Sequence, residues 1–305
     1  SGVVIMPSPE IKALDYNTIR NKVISVLGTG AGPLGYGQTL ASSAVFTGNE
    51  ITKAQWDNLR YDLTNIKIHQ DGILPPIVSL TAGEVIRFGA GYPNNNYDTI
   101  ADQAILAKFN IGSGQSVVST PDVGTGTPGV VSRTGTWSTQ SQCTMTVTFS
   151  TANEARYFFN SGGRIRFTSA RTDGSSSPQN NAWTNLLNSV GTVQFGAEIP
   201  VIENFYTLTT SYQTIYQLGS STPYSSNYYE IAALCNCSDA TNANGTASTI
   251  TFRITWRDDH TGTIDATDGT LSLNIEEFKA LGPMLPTGNF TIDSPSYSLS
   301  TIAAT

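Results

Sequence analysis

Asp258-Asp259-His260 is the densest run of ionisable side chains in the sequence. A carboxylate beside an imidazole is the raw material of hydrolysis, and with Asp265 and Asp268 the run could offer hard oxygen ligands to a cation. Asp, Gly and Thr are also the residues that a tight loop requires, because short polar side chains bond the turn backbone. The run lies between a strand ending near Arg257 and another beginning near Leu271, which favours the loop. Gly30-Ala31-Gly32-Pro33-Leu34-Gly35 satisfies G-x-G-x-x-G. A dinucleotide site, however, needs a strand before the glycines and a helix opening directly after them, so that N–H groups meet a pyrophosphate. Here a helix precedes and none opens at once, so the run reads as a connector. Cys235 and Cys237 fall on one side of a strand, but neither His69 nor His260 has a cysteine at zinc-finger spacing. They read as buried free thiols. Glu276 and Glu277 are strand neighbours, so they point to opposite faces and cannot flank one substrate. With two histidines and no nucleophile elbow, a Ser-His-Asp arrangement has no footing. The residues argue for no enzyme, no metal and no cofactor.

The elements that hold these residues follow from composition and period. Only 13% of the 305 residues are charged, about half the usual ~25%. Hydrophobic content of 39% and repeated alternation argue against disorder. A net charge of −7 argues against general nucleic-acid binding, which needs a cationic footprint. Arg164, Arg166 and Arg171 form a local basic stretch whose simpler reading is solvent exposure or pairing with acids across a sheet. No run is long and apolar enough for a membrane span, and Val3–Met6 is too short for a signal-peptide core. Synthesis in a reducing cytoplasm is expected, and three cysteines make no disulfide scaffold. Asn236, Asn244 and Asn289 open glycosylation triplets, which matter only on secretion.

Residues 1–76 read as a helical hairpin that docks or oligomerises. Asp15 is the expected N-cap of a first helix whose stripe is Ile19, Val23, Val26 and Leu27, with Gly28 as its stop. Thr52 and Gln55 form a capping box for a second helix striped by Trp56, Leu59, Leu63 and Ile66. Ile19, Val23, Leu27, Trp56, Leu59 and Leu63 are therefore candidate assembly contacts. Pro75-Pro76 stops the helix. Residues 77–136 read as a connector: a strand pair, or a strand with a turn at Gly83, over 77–88, a turn over 92–97, and a Gly/Ser/Thr/Pro-rich loop over 112–136. Residues 137–290 read as an antiparallel β-sandwich, and 291–305 as a C-terminal arm. The fold class expected is α+β, mainly β.

The sandwich is most legible over 143–195. Cys143, Met145, Val147 and Phe149 share one face and Thr144, Thr146, Thr148 and Ser150 the other. Gly162-Gly163 reads as the turn of a hairpin whose second strand is Arg164-Ile165-Arg166-Phe167. Arg164 and Arg166 then stand on the wet face as candidate interface residues. A short helix is expected around 182–187, and further strands over 205–218, 229–235, 250–257 and 271–275.

Two segments resemble virion structural proteins of tailed bacteriophages, particularly phages of marine cyanobacteria. They are DYNTIRNKVISVLGTGAGPLGYGQ with EITKAQWDNLRYDLTNIKIHQDG, and TVTFSTANEARYFFNSGGRIRFTSARTDGSSSPQNNAWTNLL. The resemblance implies a non-enzymatic virion component in the tail, as a fibre, baseplate or tail-attachment subunit. Its partners would be other virion proteins and other copies of itself, with a trimer favoured because fibres commonly use threefold symmetry. One alternative is a host-surface glycan adhesin, with Tyr224, Tyr228 and Tyr229 near Asn227 stacking on sugars or serving as subunit contacts. Another is a neck, collar or head-decoration protein.

Overall fold

A computed structural model describes residues 12–75, 77, 79, 81, 97–198, 201–261 and 266–304. Among them the helices are α1 (Ala13–Leu27), α2 (Lys53–Asp71), α3 (Tyr97–Leu106), α4 (Ala152–Asn160) and α5 (Pro178–Val190). The longer strands are β1 (Ser116–Ser119), β2 (Val130–Thr134), β3 (Gln140–Thr148), β4 (Arg164–Thr172), β5 (Thr192–Phe195), β6 (Gln213–Gly219), β7 (Tyr228–Cys235), β8 (Thr249–Arg257) and β9 (Thr270–Ala280). Four further strands follow: β10 (Gly282–Pro283), β11 (Asn289–Phe290), β12 (Ser296–Leu299) and β13 (Ala303–Ala304). The protein is α+β and mainly β. Most of the strand expected over 77–88, the turn over 92–97 up to Tyr97, and Asp265 lie outside the described residues.

The chain forms two compact units, Ser1–Ser116 with Ala280–Ile292, and Val117–Lys279 with Asp293–Thr305. The boundaries expected at 76, 136 and 290 therefore move. Residues 97–106 are a third helix of the first unit, and β1 and β2 are not loop but pair with β9 in the second. The tail is not a free arm, because β12 and β13 pair antiparallel with β3 and cover its edge.

In the first unit, Thr52 Oγ1 accepts from Gln55 N while Gln55 Oε1 accepts from Thr52 N, the expected capping box. Gly72 ends α2 in the left-handed region at φ 74°, and a Cβ there would meet Ser113 O at 2.8 Å. For α1 the N-cap is Lys12 and not Asp15. Asp15 lies three residues inside, and its carboxylate accepts from Lys12 N at 2.9 Å. The two helices do not form a hairpin. Tyr16, Trp56 and Tyr97 meet edge to face at 5.2 and 5.1 Å where the three helices begin. Tyr36 N bonds Val26 O, and Gln70 reaches both Tyr36 OH and Ala104 O, where they end. The helices thus run in one direction. Residues 28–52 carry the chain back along them, anchored by Tyr16 OH on Ser43 O and by Asn17 on Val45.

The second unit is a sandwich of two sheets. One has the order β12-β3-β8-β7-β6, with β13 also on β3; the other has β1-β9-β4-β5, with β2 also on β9. Cys143, Met145, Val147 and Phe149 are buried, as are Ile165 and Phe167, so the period of two reports the core face correctly. The expected hairpin at Gly162-Gly163 is absent. Helix α4 lies between β3 and β4, which belong to different sheets, and the glycines form its exit. Gly163 has no room for a Cβ, which would lie 2.4 Å from Phe158 O. Thr151 caps α4 by accepting from Glu154 N, and Phe159 stacks on Phe205 at 4.4 Å. Across the sandwich, Phe252 of β8 meets Phe167 of β4 at 5.0 Å and Phe195 of β5 at 5.1 Å. Trp256 Nε1 donates to Ser169 Oγ at 2.9 Å.

Phe252 is fully buried between the sheets, so Phe252→Ala should lower the stability of the sandwich by about 3–5 kcal/mol. Phe46, 74% exposed in the other unit, is the control. In urea denaturation, Phe46→Ala should leave that transition in place.

Candidate functional site

The acidic loop between β8 and β9 anchors helix α5 through its side chains. Ser177 caps α5 by accepting from Asn180 N at 3.2 Å, and Pro178 occupies its first turn. Gln179 Nε2 then donates to both oxygens of Asp258 at 2.7 Å, and Thr267 Oγ1 donates to Oδ2 at 2.8 Å. Asp268 Oδ1 accepts from Ser175 N at 2.9 Å, from Ser175 Oγ at 3.2 Å, from Arg171 Nη2 at 3.1 Å and from Asn180 Nδ2. The Ser175 N–H above all holds the Asp268 carboxyl below its ordinary range, helped by the Ser175 hydroxyl, Asn180 and Arg171 and opposed by burial. Burial pushes the Asp258 carboxyl up, against the hydrogen bonds it accepts.

The trio does not converge. Asp258 is buried beneath α5, Asp259 pairs with Arg257 Nε at 2.7 Å, and His260 packs edge-on against Tyr224 at 4.6 Å. The backbone N–H groups of Asp259 and His260 both donate to Asn227 Oδ1 at 2.9 Å. This is the loop reading, with the acids acting as anchors. Among the described residues no group of three or more His, Cys, Asp or Glu is placed to hold a metal ion.

The other candidate residues resolve in different ways. Ile19, Val23, Leu27, Trp56, Leu59 and Leu63 are all buried within the first unit. They are core and not a surface for a partner, because the parallel helix arrangement turns each stripe inward. Tyr229 is 0% exposed and Tyr224 is buried, so neither can stack on a sugar; Tyr228 is half-buried. Arg166 Nη1 pairs with Glu276 Oε2 at 3.1 Å across the sheet, and Arg164 donates to Gln194 Oε1 at 3.1 Å while lying over the Phe278 ring. Burial, with the charge of Arg166 beside it, pulls the Arg164 guanidinium below its ordinary range. Arg171 is buried against Asp268 and belongs to no basic patch. The three cysteines are free and buried, and burial pushes the Cys143 and Cys235 thiols up to about 12. The glycine-rich connector is tightly folded: a Cβ on Gly30 or Gly35 would meet backbone within 2.4 Å. It precedes no helix until α2.

What the residue patterns missed is the burial of Glu277. It and Glu276 do face opposite ways, but Glu277 turns inward and is 2% exposed. The signal was present, since an acid stands where the Leu271, Leu273, Ile275 alternation calls for an apolar residue.

Comparison of the chain with protein-family models and with curated proteins finds no match.

A carboxylate whose folded value lies below its unfolded one adds stability above the ordinary range and loses it as pH falls through the folded value. Asp268→Asn should therefore lower the melting temperature at pH 7 by about 2–4 °C. The gap to the parent should close as the pH falls below the ordinary carboxylate range, as followed by thermal denaturation at decreasing pH.

Proposed function

We propose that this chain is a non-enzymatic structural subunit of a tailed-phage virion, in the tail as a fibre, baseplate or tail-attachment part, acting through protein–protein assembly. The resemblance of residues 15–38, 50–72 and 146–187 to such proteins supports the class. The supporting observation in the fold is the set of large apolar side chains left in water on the helical unit. Ile73, Leu74 and Leu106 are 70%, 71% and 82% exposed. Ile73 and Leu74 follow α2 and Leu106 closes α3, at the end where Gln70 ties the helices together. Leu14 and Phe46 are exposed near the start of α1, where Asn17 holds Val45. Exposed apolar groups gathered at element ends suit contact with another subunit better than contact with water. These residues take over the docking role first assigned to the buried stripes. No helix among the described residues is long and apolar enough to cross a membrane.

A homotrimer is the expected assembly. Native mass spectrometry of the purified chain should show three copies, and electron cryomicroscopy of particles should locate it in the tail. Ile73→Glu with Leu106→Glu should reduce the trimer at least tenfold with the fold intact by circular dichroism. A strict monomer that is also missing from particles would sink the reading.

A further inference from the structure

Strand β9 sends Leu271, Leu273 and Ile275 into the sandwich core and then, at the next inward step, Glu277. A residue needed only for packing would be apolar there, because a buried carboxylate is unfavourable unless its oxygens are hydrogen-bonded. Ser294 Oγ donates to Oε1 at 2.7 Å and Tyr297 OH to Oε2 at 3.0 Å. Lys279 Nζ lies 3.8 Å from Oε1 and donates to Ser294 Oγ at 2.6 Å. Burial, and then the charge of Glu277, pushes the Tyr297 phenol up, so it keeps the proton it donates.

Glu277, Ser294 and Tyr297 line an open cavity of about 490 Å³ together with Pro121 and Asp122. That volume lies within the range of small-ligand sites, about 300–1,000 Å³. The lining residues are carboxylates, hydroxyls, prolines and a glycine, with no basic side chain among them, so an anion is disfavoured. Lys279 balances the Glu277 charge, and Asp122 is exposed, where water screens its pull on a cation. What remains is a surface of hydrogen-bond acceptors, and each carboxylate oxygen has two lone pairs. Pro121 and Pro295 add flat apolar faces.

We propose that this cavity binds a neutral sugar residue, with Glu277 and Asp122 accepting its hydroxyl hydrogens and the prolines meeting its C–H face. The site goes beyond the assembly reading and does not depend on it. Saturation-transfer difference NMR on the full chain, with glucose, galactose and mannose as probes and propylamine as the cationic control, tests it. Transfer to at least one sugar is expected, with binding weakened about tenfold or more in Glu277→Gln and in Asp122→Ala. Asp122 is exposed and its side chain accepts from Gly124 N within its own turn at 2.9 Å, so Asp122→Ala should keep the parent fold and carries the test if Glu277→Gln fails to fold. Transfer to none of the sugars, transfer to propylamine alone, or transfer unchanged in the folded variants overturns the proposal. A chain that assembles but shows no transfer loses only this site, and a monomer that shows transfer loses only the assembly reading.

Discussion

Long irregular segments can be folded tightly only if their backbone N–H and C=O groups find partners, and here neutral amide side chains supply many of them. In the helical unit Asn17 exchanges two bonds with Val45, Gln38 two with Thr291, and Asn65 two with Leu285. Each amide takes the place of a neighbouring strand. In the sandwich Asn242 holds Phe205 O and Ala247 N, Asn236 accepts from Ser248 and Thr249, and Asn227 from Asp259 and His260. Each bond contributes about 0.5–1.5 kcal/mol net, and removing the amide leaves buried backbone groups unpaired at about 1–3 kcal/mol each. A neutral amide is easier to bury than an ion, which must be stripped of water. That gives a physical reason for a low-charge, asparagine-rich composition in an ordered chain.

The same economy explains why the most chemical-looking residues turn out to be architectural. Asp258 is buried and Asp268 half-buried, and most of the donors around them come from the first turn of α5 and the residues just before it. Ser175, Gln179 and Asn180 are spaced so that one loop, 258–269, is fastened at both ends. Asp62 does similar work in the helical unit, accepting from Ala41 and Ser42 N–H at 2.8 Å. Its carboxyl is pushed up by burial, against those bonds. Glu277 differs from these acids because it borders a pocket, and its donors Ser294 and Tyr297 come from the C-terminal segment.

The direction of the first three helices decides what the first unit offers outward. Had α1 and α2 formed a hairpin, their apolar stripes could have faced a partner. Because 28–52 returns along them and α3 joins the pair, the stripes close on Tyr16, Trp56 and Tyr97. Exposed apolar side chains remain at the helix ends instead, which supports an assembly role by a different surface.

Periods and caps were legible in the sequence because they are local: Thr52 with Gln55, the inward Met145 and Val147, and the alternation Ile250, Phe252, Ile254 each depend on neighbours a few residues away. The T-x-x-E of Thr151 and Glu154 was legible too, and would have separated α4 from a hairpin. The opposition of Glu276 and Glu277 follows from the pleat alone. What only the tertiary structure decided is everything that depends on distant partners. Gln38 meets Thr291 across 253 positions, β1 and β2 find β9, and β12 covers β3. No periodicity encodes such pairings, because they are set by which exposed edges and unpaired backbone groups remain once the local elements have formed.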